Sequence, residues 1–151
     1  MTSRSWMGRL GLRYPEAVLA GWGFVLNGAW EFLHTPLYAD ASREPSYLLW
    51  TRLHCTVGDV LILLGAFWVT SLVARSRFWW RSNGTTALPI FLAAGLVYTA
   101  FSEWANTRLW EGWGYGPGMP TIFGLGLTPL LQWIVLPPLA LRLLARSSAA
   151  R

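Results

Sequence analysis

Asn27-Gly28-Ala29-Trp30-Glu31-Phe32-Leu33-His34-Thr35-Pro36-Leu37-Tyr38 closes the first long apolar run of the chain. On a helix, Asn27, Glu31 and His34 stand at i, i+4 and i+7 and so share one face. Three polar side chains on one stripe of a hydrophobic helix are expensive to keep in lipid. Such groups face a bundle interior and by default mark a functional site. The other apolar runs are read as a frame around this stripe.

Composition points the same way. Of 151 residues, 54% are hydrophobic and only 13% charged, against about 25% charged in a soluble domain. Eleven tryptophans exceed what a soluble core of this length needs. The net charge of +5 comes from arginine alone, and those arginines cluster between apolar segments rather than forming a stripe along one face. No nucleic-acid partner is therefore expected. Cys55 is the single cysteine, which excludes an internal disulfide and leaves the redox compartment unread.

Outward from the quoted stretch, residues 1–14 form a short basic and aromatic arm with Arg4, Trp6, Arg9, Arg13 and Tyr14. Helices are expected at about 15–37, 46–74, 88–110 and 121–145, each near the ~20 residues that cross a bilayer core. A cleaved signal peptide is the rival for the first. It is disfavoured because the run is long and no small-residue cleavage site follows. Asn83-Gly84 marks the turn before the third helix. The fold class expected is all-α, a single four-helix polytopic membrane domain over residues 1–151.

Arginine placement sets the orientation. Arg4, Arg9, Arg13, Arg75, Arg77, Arg81, Arg142, Arg146 and Arg151 fall on one side, against Arg43, Arg52 and Arg108 on the other. Both termini are then cytoplasmic, in a bacterial inner membrane. Trp6, Tyr14, Trp79 and Trp80 would form an inner aromatic belt. Tyr38, Tyr47, Trp50, Trp110, Trp113 and Tyr115 would form the outer one. The first and third helices also align at an offset of 72: Glu31, Thr35 and Leu37 match Glu103, Thr107 and Leu109, with His34 opposite Asn106. A parallel repeat about an axis along the membrane normal is one explanation, and chance likeness between apolar helices is the other.

At 1.5 Å per residue, Glu31, Asp59 and Glu103 lie roughly 8–13 Å below the outer ends of their helices, at similar depth. Asn27, His34, His54 and Asn106 are near that layer and Gln132 somewhat deeper. Glu31, Glu103 and Asp59 are thus the candidate catalytic groups. Asn27, Trp30, His34, His54, Trp104, Asn106, Trp113, Tyr115 and Gln132 are the candidate substrate-binding set. For Asn27, Asn106 and Gln132 the plain alternative is interhelical hydrogen bonding. Arg52 or Arg108 would neutralise one of the carboxylates.

Three chemistries fit these residues. Two carboxyl groups in a low-dielectric pocket can hold different protonation states, which suits isomerisation or cyclisation of a lipid-soluble, isoprenoid-like substrate. Trp30, Trp104 and Trp110 could then face a carbocation. A metal site is the second, since Glu31-x-x-His34 has the spacing found in di-iron bundles. A full site needs two such spacings and the third helix offers Glu103-x-x-Asn106, so no metal and no cofactor are assigned. The third is non-catalytic: a proton-coupled carrier, an assembly factor or a subunit of a membrane complex, which would call for a homo-oligomer. Gly21, Gly65, Ala93, Ala94, Gly95, Gly124 and Gly126 would allow close helix contact in any of these.

Asn27-x-x-Trp30-Glu31, Pro36-Leu37-Tyr38, Gly58-Asp59, Glu103, Met119-Pro120 and Gly126-Leu127-x-Pro129-x-x-Gln132 together resemble small uncharacterised bacterial four-helix integral membrane proteins, over most of the chain. That resemblance implies the fold and no activity. The Asn-x-x-Trp-Glu element alone is similar to integral-membrane terpene cyclases, which use buried carboxylates, although their helix count differs. Finally, Gly112, Gly114, Gly116 and Gly118 alternate with Trp113, Tyr115 and Pro117. This glycine-rich loop is expected to dip inward as a lid over the pocket, or else to anchor in the headgroup layer.

Overall fold

The computed structural model describes residues 11–81 and 86–149. The first ten residues of the basic arm, with Arg4, Trp6 and Arg9, the Asn83-Gly84 turn and Arg151 lie outside them. The described chain is mostly helical. Its long helices are α1 (Pro15–His34), α2 (Pro45–Val73), α3 (Ala87–Arg108) and α4 (Leu127–Ala149). Short 3-10 turns at Thr35–Leu37 and Trp79–Arg81 follow α1 and α2. The segment expected to begin the fourth helix instead forms a small antiparallel hairpin, β1 (Thr121–Ile122) with β2 (Leu125–Gly126). Phe123 and Gly124 turn it, both at positive φ.

The helix ends have local causes. Pro15 and Pro45 open α1 and α2, where a missing N–H does no harm. Pro36 then stops α1 three residues earlier than expected, because it cannot donate to the helical ladder. Past α2, Arg75 adopts a left-handed conformation, φ 50°. Ser76 N–H bonds Ser71 C=O at 3.0 Å and Arg75 N–H bonds Leu72 C=O at 3.2 Å, a Schellman closure. Pro137 and Pro138 sit inside α4 and remove two ladder donors, yet the helix runs on to Ala149.

Three helices, α2, α3 and α4, are long and apolar enough to cross a membrane. α1, which carries Glu16, Asn27, Glu31 and His34, is not among them. The helices pack in a ring, α1 against α2 and α4, and α3 against α2 and α4. Each helix therefore turns one stripe inward. In α1 that stripe is Pro15, Leu19, Gly23, Asn27 and Glu31; in α3 it is Ala87, Phe91, Gly95, Thr99 and Glu103. Each α3 member stands 72 positions after its α1 counterpart.

The interior has two halves. Toward the Trp79 turn it is apolar: Leu19, Leu63, Phe67, Phe91, Leu141 and Leu144 form one buried cluster. Trp79, expected in an aromatic belt, plugs this cluster instead, its ring 5.5 Å from Phe67 and 5.3 Å from Phe91. Toward the other end the same stripes turn polar, and there the candidate site lies. Close approach is local to two glycines. A side chain at Gly23 would meet Leu63 at 2.6 Å, and one at Gly95 would run into the Trp133 ring. Gly21 and Gly65, expected to serve the same purpose, have open space around them.

Candidate functional site: a carboxylate cavity beneath an aromatic loop

A cavity of about 890 Å³ lies between α2 and α3, within the range of small-molecule sites. Glu31 reaches it from α1, Asp59 from α2 and Glu103 from α3, while Pro129, Gln132 and Trp133 of α4 form its back. The three carboxyl groups expected at one depth therefore share one space. His54, Asn106 and Trp113 line it as well.

Each carboxyl has its own company. Glu31 Oε1 is 3.2 Å from His34 Nε2, and Glu31 Oε2 is 3.9 Å from Arg52. Arg52 is buried, pairs closely with Asp40 from the turn after α1, and stacks its guanidinium 4.9 Å over the Tyr38 ring. Asp59 Oδ2 accepts from Gln132 Nε2 at 2.7 Å, and the same nitrogen donates to Asn27 Oδ1 at 2.8 Å. One amide thus ties α1, α2 and α4 together. Glu103 Oε2 accepts a short hydrogen bond from the Tyr115 hydroxyl.

Tyr115 fixes the loop above the cavity. Its hydroxyl also accepts from Gly126 N–H at 2.8 Å, so one phenol joins α3, the loop and β2. Residues 114–116 pair with the end of the α1 turn: Ala39 N–H bonds Gly114 C=O at 2.9 Å, and Gly116 N–H bonds Leu37 C=O at 2.8 Å. A side chain at Gly116 would press on the Leu37 and Tyr38 carbonyls at 3.1 and 3.2 Å. Burial, then the bond to Glu103, pushes the Tyr115 phenol well above its ordinary ionisation range. Tyr38 is pushed up for the first of these reasons and then by the nearby charges of Glu103 and Glu31. Trp113 stands in the cavity wall, its indole N–H near the Glu103 carboxyl without the alignment of a hydrogen bond.

The remaining expected residues fall outside the wall. Asn27 lies behind Gln132, and His34 behind Glu31. His34 stands in an aromatic row, with ring centroids 6.3 Å from Trp30 and 5.1 Å from Tyr38. Trp104 turns away from the bundle, 46% exposed beside Phe101. Trp110 is also outward, so the indoles that line the cavity are Trp50, Trp113 and Trp133 rather than Trp30, Trp104 and Trp110. Arg108 lies against the hairpin at Gly124 and neutralises no buried carboxylate; Arg52 takes that part.

Sequence reasoning did not draw Asp40 into the site and placed Tyr38 in the outer aromatic belt. Tyr38 is buried at 7% exposure. One signal was present: an arginine inside an apolar run needs a counter-charge, and the turn that leads to it holds two acidic groups, Asp40 and Glu44. Among the described residues, no three His, Cys, Asp or Glu side chains converge where they could hold a metal ion. Compared with known proteins, the chain matches no family model, no curated protein and no solved structure.

Proposed function

We propose that this is a four-span protein of the bacterial inner membrane, both termini cytoplasmic, that transfers protons on a lipid-soluble, isoprenoid-like substrate. The reaction is an isomerisation or cyclisation in the carboxylate cavity. One observation carries it: Glu31 and Glu103 line the same cavity from opposite helices with different partners. Arg52 beside Glu31 offsets the negative charge of a base. Glu103 rests on an uncharged phenol, a setting for a group that passes a proton.

In an isomerisation, Glu103 gives its proton to an alkene carbon, and the π electrons form the new C–H bond. Trp113 and Trp133 face the resulting carbocation. Glu31 removes a proton from the adjacent carbon, and that C–H pair becomes the new double bond. The proton returns to Glu103 between turnovers, so nothing else is consumed. The clasped loop excludes water that would quench the cation.

The orientation follows from the arginines. Arg75, Arg77, Arg81, Arg142 and Arg146 are all exposed, and Arg77 bonds Glu16 at 2.5 and 2.6 Å, which joins the start of α1 to the turn after α2. We also read α1–α2 and α3–α4 as a parallel repeat. Supporting this, the inward stripes coincide at the offset of 72, and Thr35 and Thr107 hydroxyls donate equivalently to Glu31 and Glu103 C=O at 2.8 and 2.7 Å.

Glu31→Gln and Glu103→Gln keep shape and hydrogen bonding but remove the proton. In proteoliposomes supplied with isoprenoid alkenes, each variant should accumulate and fold yet show no conversion. Conversion by both variants at the wild-type rate would refute the acid–base reading.

A further inference from the structure

We infer that the cavity takes an amphiphile with one apolar chain and an uncharged or cationic head, not an anionic one. The head lies among Glu31, Asp59 and Glu103, and the chain runs down the groove between α2 and α3. This rests on reading the cavity as a site for a lipid-soluble substrate and narrows the class of that substrate.

Charge decides the head. Four carboxyl groups line the cavity, those of Glu31, Asp40, Asp59 and Glu103, and its buried cation, Arg52, is already shared by Asp40 and Glu31. A phosphate or carboxylate there would meet like charge with no free counter-ion. Donors and acceptors for a neutral or cationic head are in place. Thr99 and Trp133 both line the cavity, are 6% and 3% exposed, and leave Oγ1 and Nε1 without a hydrogen-bond partner.

The chain's path is written in glycines. Gly58 and Gly65 of α2 stand at i and i+7 on the cavity face, and a side chain at either would meet nothing within 4 Å. With Ala66 and Ala94 they leave a trough edged by Leu61 and Val69. From Asp59 to Val69 it runs about 15 Å at 1.5 Å per residue, about half of a ~30 Å hydrocarbon core. Because α2 and α3 stay in packing contact, the trough is as wide as the missing side chains, room for one chain and not for a helix. Leu61 and Val69 are exposed, so the trough opens sideways toward lipid, while the Tyr115 loop closes the end above the carboxylates.

The test uses dodecanol, dodecylamine and dodecyl phosphate, one tail with three heads, added to the full-length protein in detergent and read by native mass spectrometry. The alcohol and the amine should each bind once per chain. The phosphate should bind at least about tenfold more weakly, from like-charge repulsion. Gly58→Leu and Gly65→Leu should each weaken amine binding by about tenfold or more, as expected when two methylenes lose their burial. Gly21→Leu, on the outer face of α1, should change nothing. Phosphate binding as tight as the amine, unchanged binding in both trough variants, or no binding by any of the three overturns the inference. Turnover plays no part, so that result leaves the acid–base reading standing. Active Glu31→Gln and Glu103→Gln would remove that reading without touching this one.

Discussion

The Tyr115 hydroxyl donates a hydrogen bond to Glu103 and accepts one from Gly126 N–H. Tyr115→Phe strips both partners at once while keeping the ring, and should cost about 1–3 kcal/mol, the penalty for orphaned buried polar groups. Thermal unfolding in micelles would read it. The same phenol predicts a pH dependence. It ionises near 10 when unfolded and well above that when folded, so its contribution is complete below pH 10 and is lost as pH rises beyond it. Wild type should lose stability in that alkaline range more steeply than Tyr115→Phe; parallel curves would show that the phenol is not the group responsible. Arg52 is the other residue on which much depends. Arg52→Met leaves Asp40 and Glu31 facing each other without their cation, which should destabilise by about 3–5 kcal/mol. Adding Asp40→Asn to that variant should recover part of the loss; no recovery would mean that the pair with Asp40 is not what holds the turn.

Among the elements, glycine has two opposite uses on neighbouring helices. Gly95 lets α4 lay Trp133 directly on α3. Gly95→Ala must push the indole aside, with an overpacking cost of about 1–3 kcal/mol. Gly65 faces open space in α2, so Gly65→Ala should be neutral or stabilise by up to about 1 kcal/mol through helix propensity. Equal melting shifts for the two alanine variants would contradict this division. The helix ends carry the same lesson of local cause. Pro36 ends α1 early, and the chain after it turns back so that Tyr38 and Asp40 sit over the start of α2 instead of pointing into the interface. The α3–α4 connection is longer, and its glycines let it pair with residues 37–39 and place Tyr115 over Glu103.

For the whole molecule, the apolar half of the bundle holds the helices together and the polar half holds the cavity. Outward-facing Leu33, Leu72 and Val97 are each at least 70% exposed, which fits a lipid-facing surface. The exposed Arg75, Arg77, Arg81, Arg142 and Arg146 predict that a reporter fused after Arg151 reads as cytoplasmic. A periplasmic signal would overturn the proposed four-span count or its orientation, and with it the proposed side of the cavity.

The sequence by itself determined the helical class and the four apolar segments to within a few residues at most ends, and it singled out Glu31, Asp59 and Glu103, which line one cavity. These follow from run length, proline position and the 3.6-residue period, all local properties. It misplaced the start of α4, because the alternative there is a hairpin closed by a hydrogen bond from Leu127 N–H to Pro120 C=O, which apolar composition does not reveal. Only the tertiary structure decided which polar groups meet. Asn27 and Glu31 share a stripe, yet Asn27 is used up by Gln132 from α4 and Glu31 is left to the cavity. Trp104 and Trp113 are equally aromatic in the sequence, but the packing of α3 turns Trp104 outward while the loop after α3 folds back and brings Trp113 into the cavity wall. Partners such as Arg52 with Asp40 and Tyr115 with Glu103 join separate elements, so their pairing is set by how the helices pack and how the loops fold back, not by any spacing along the chain.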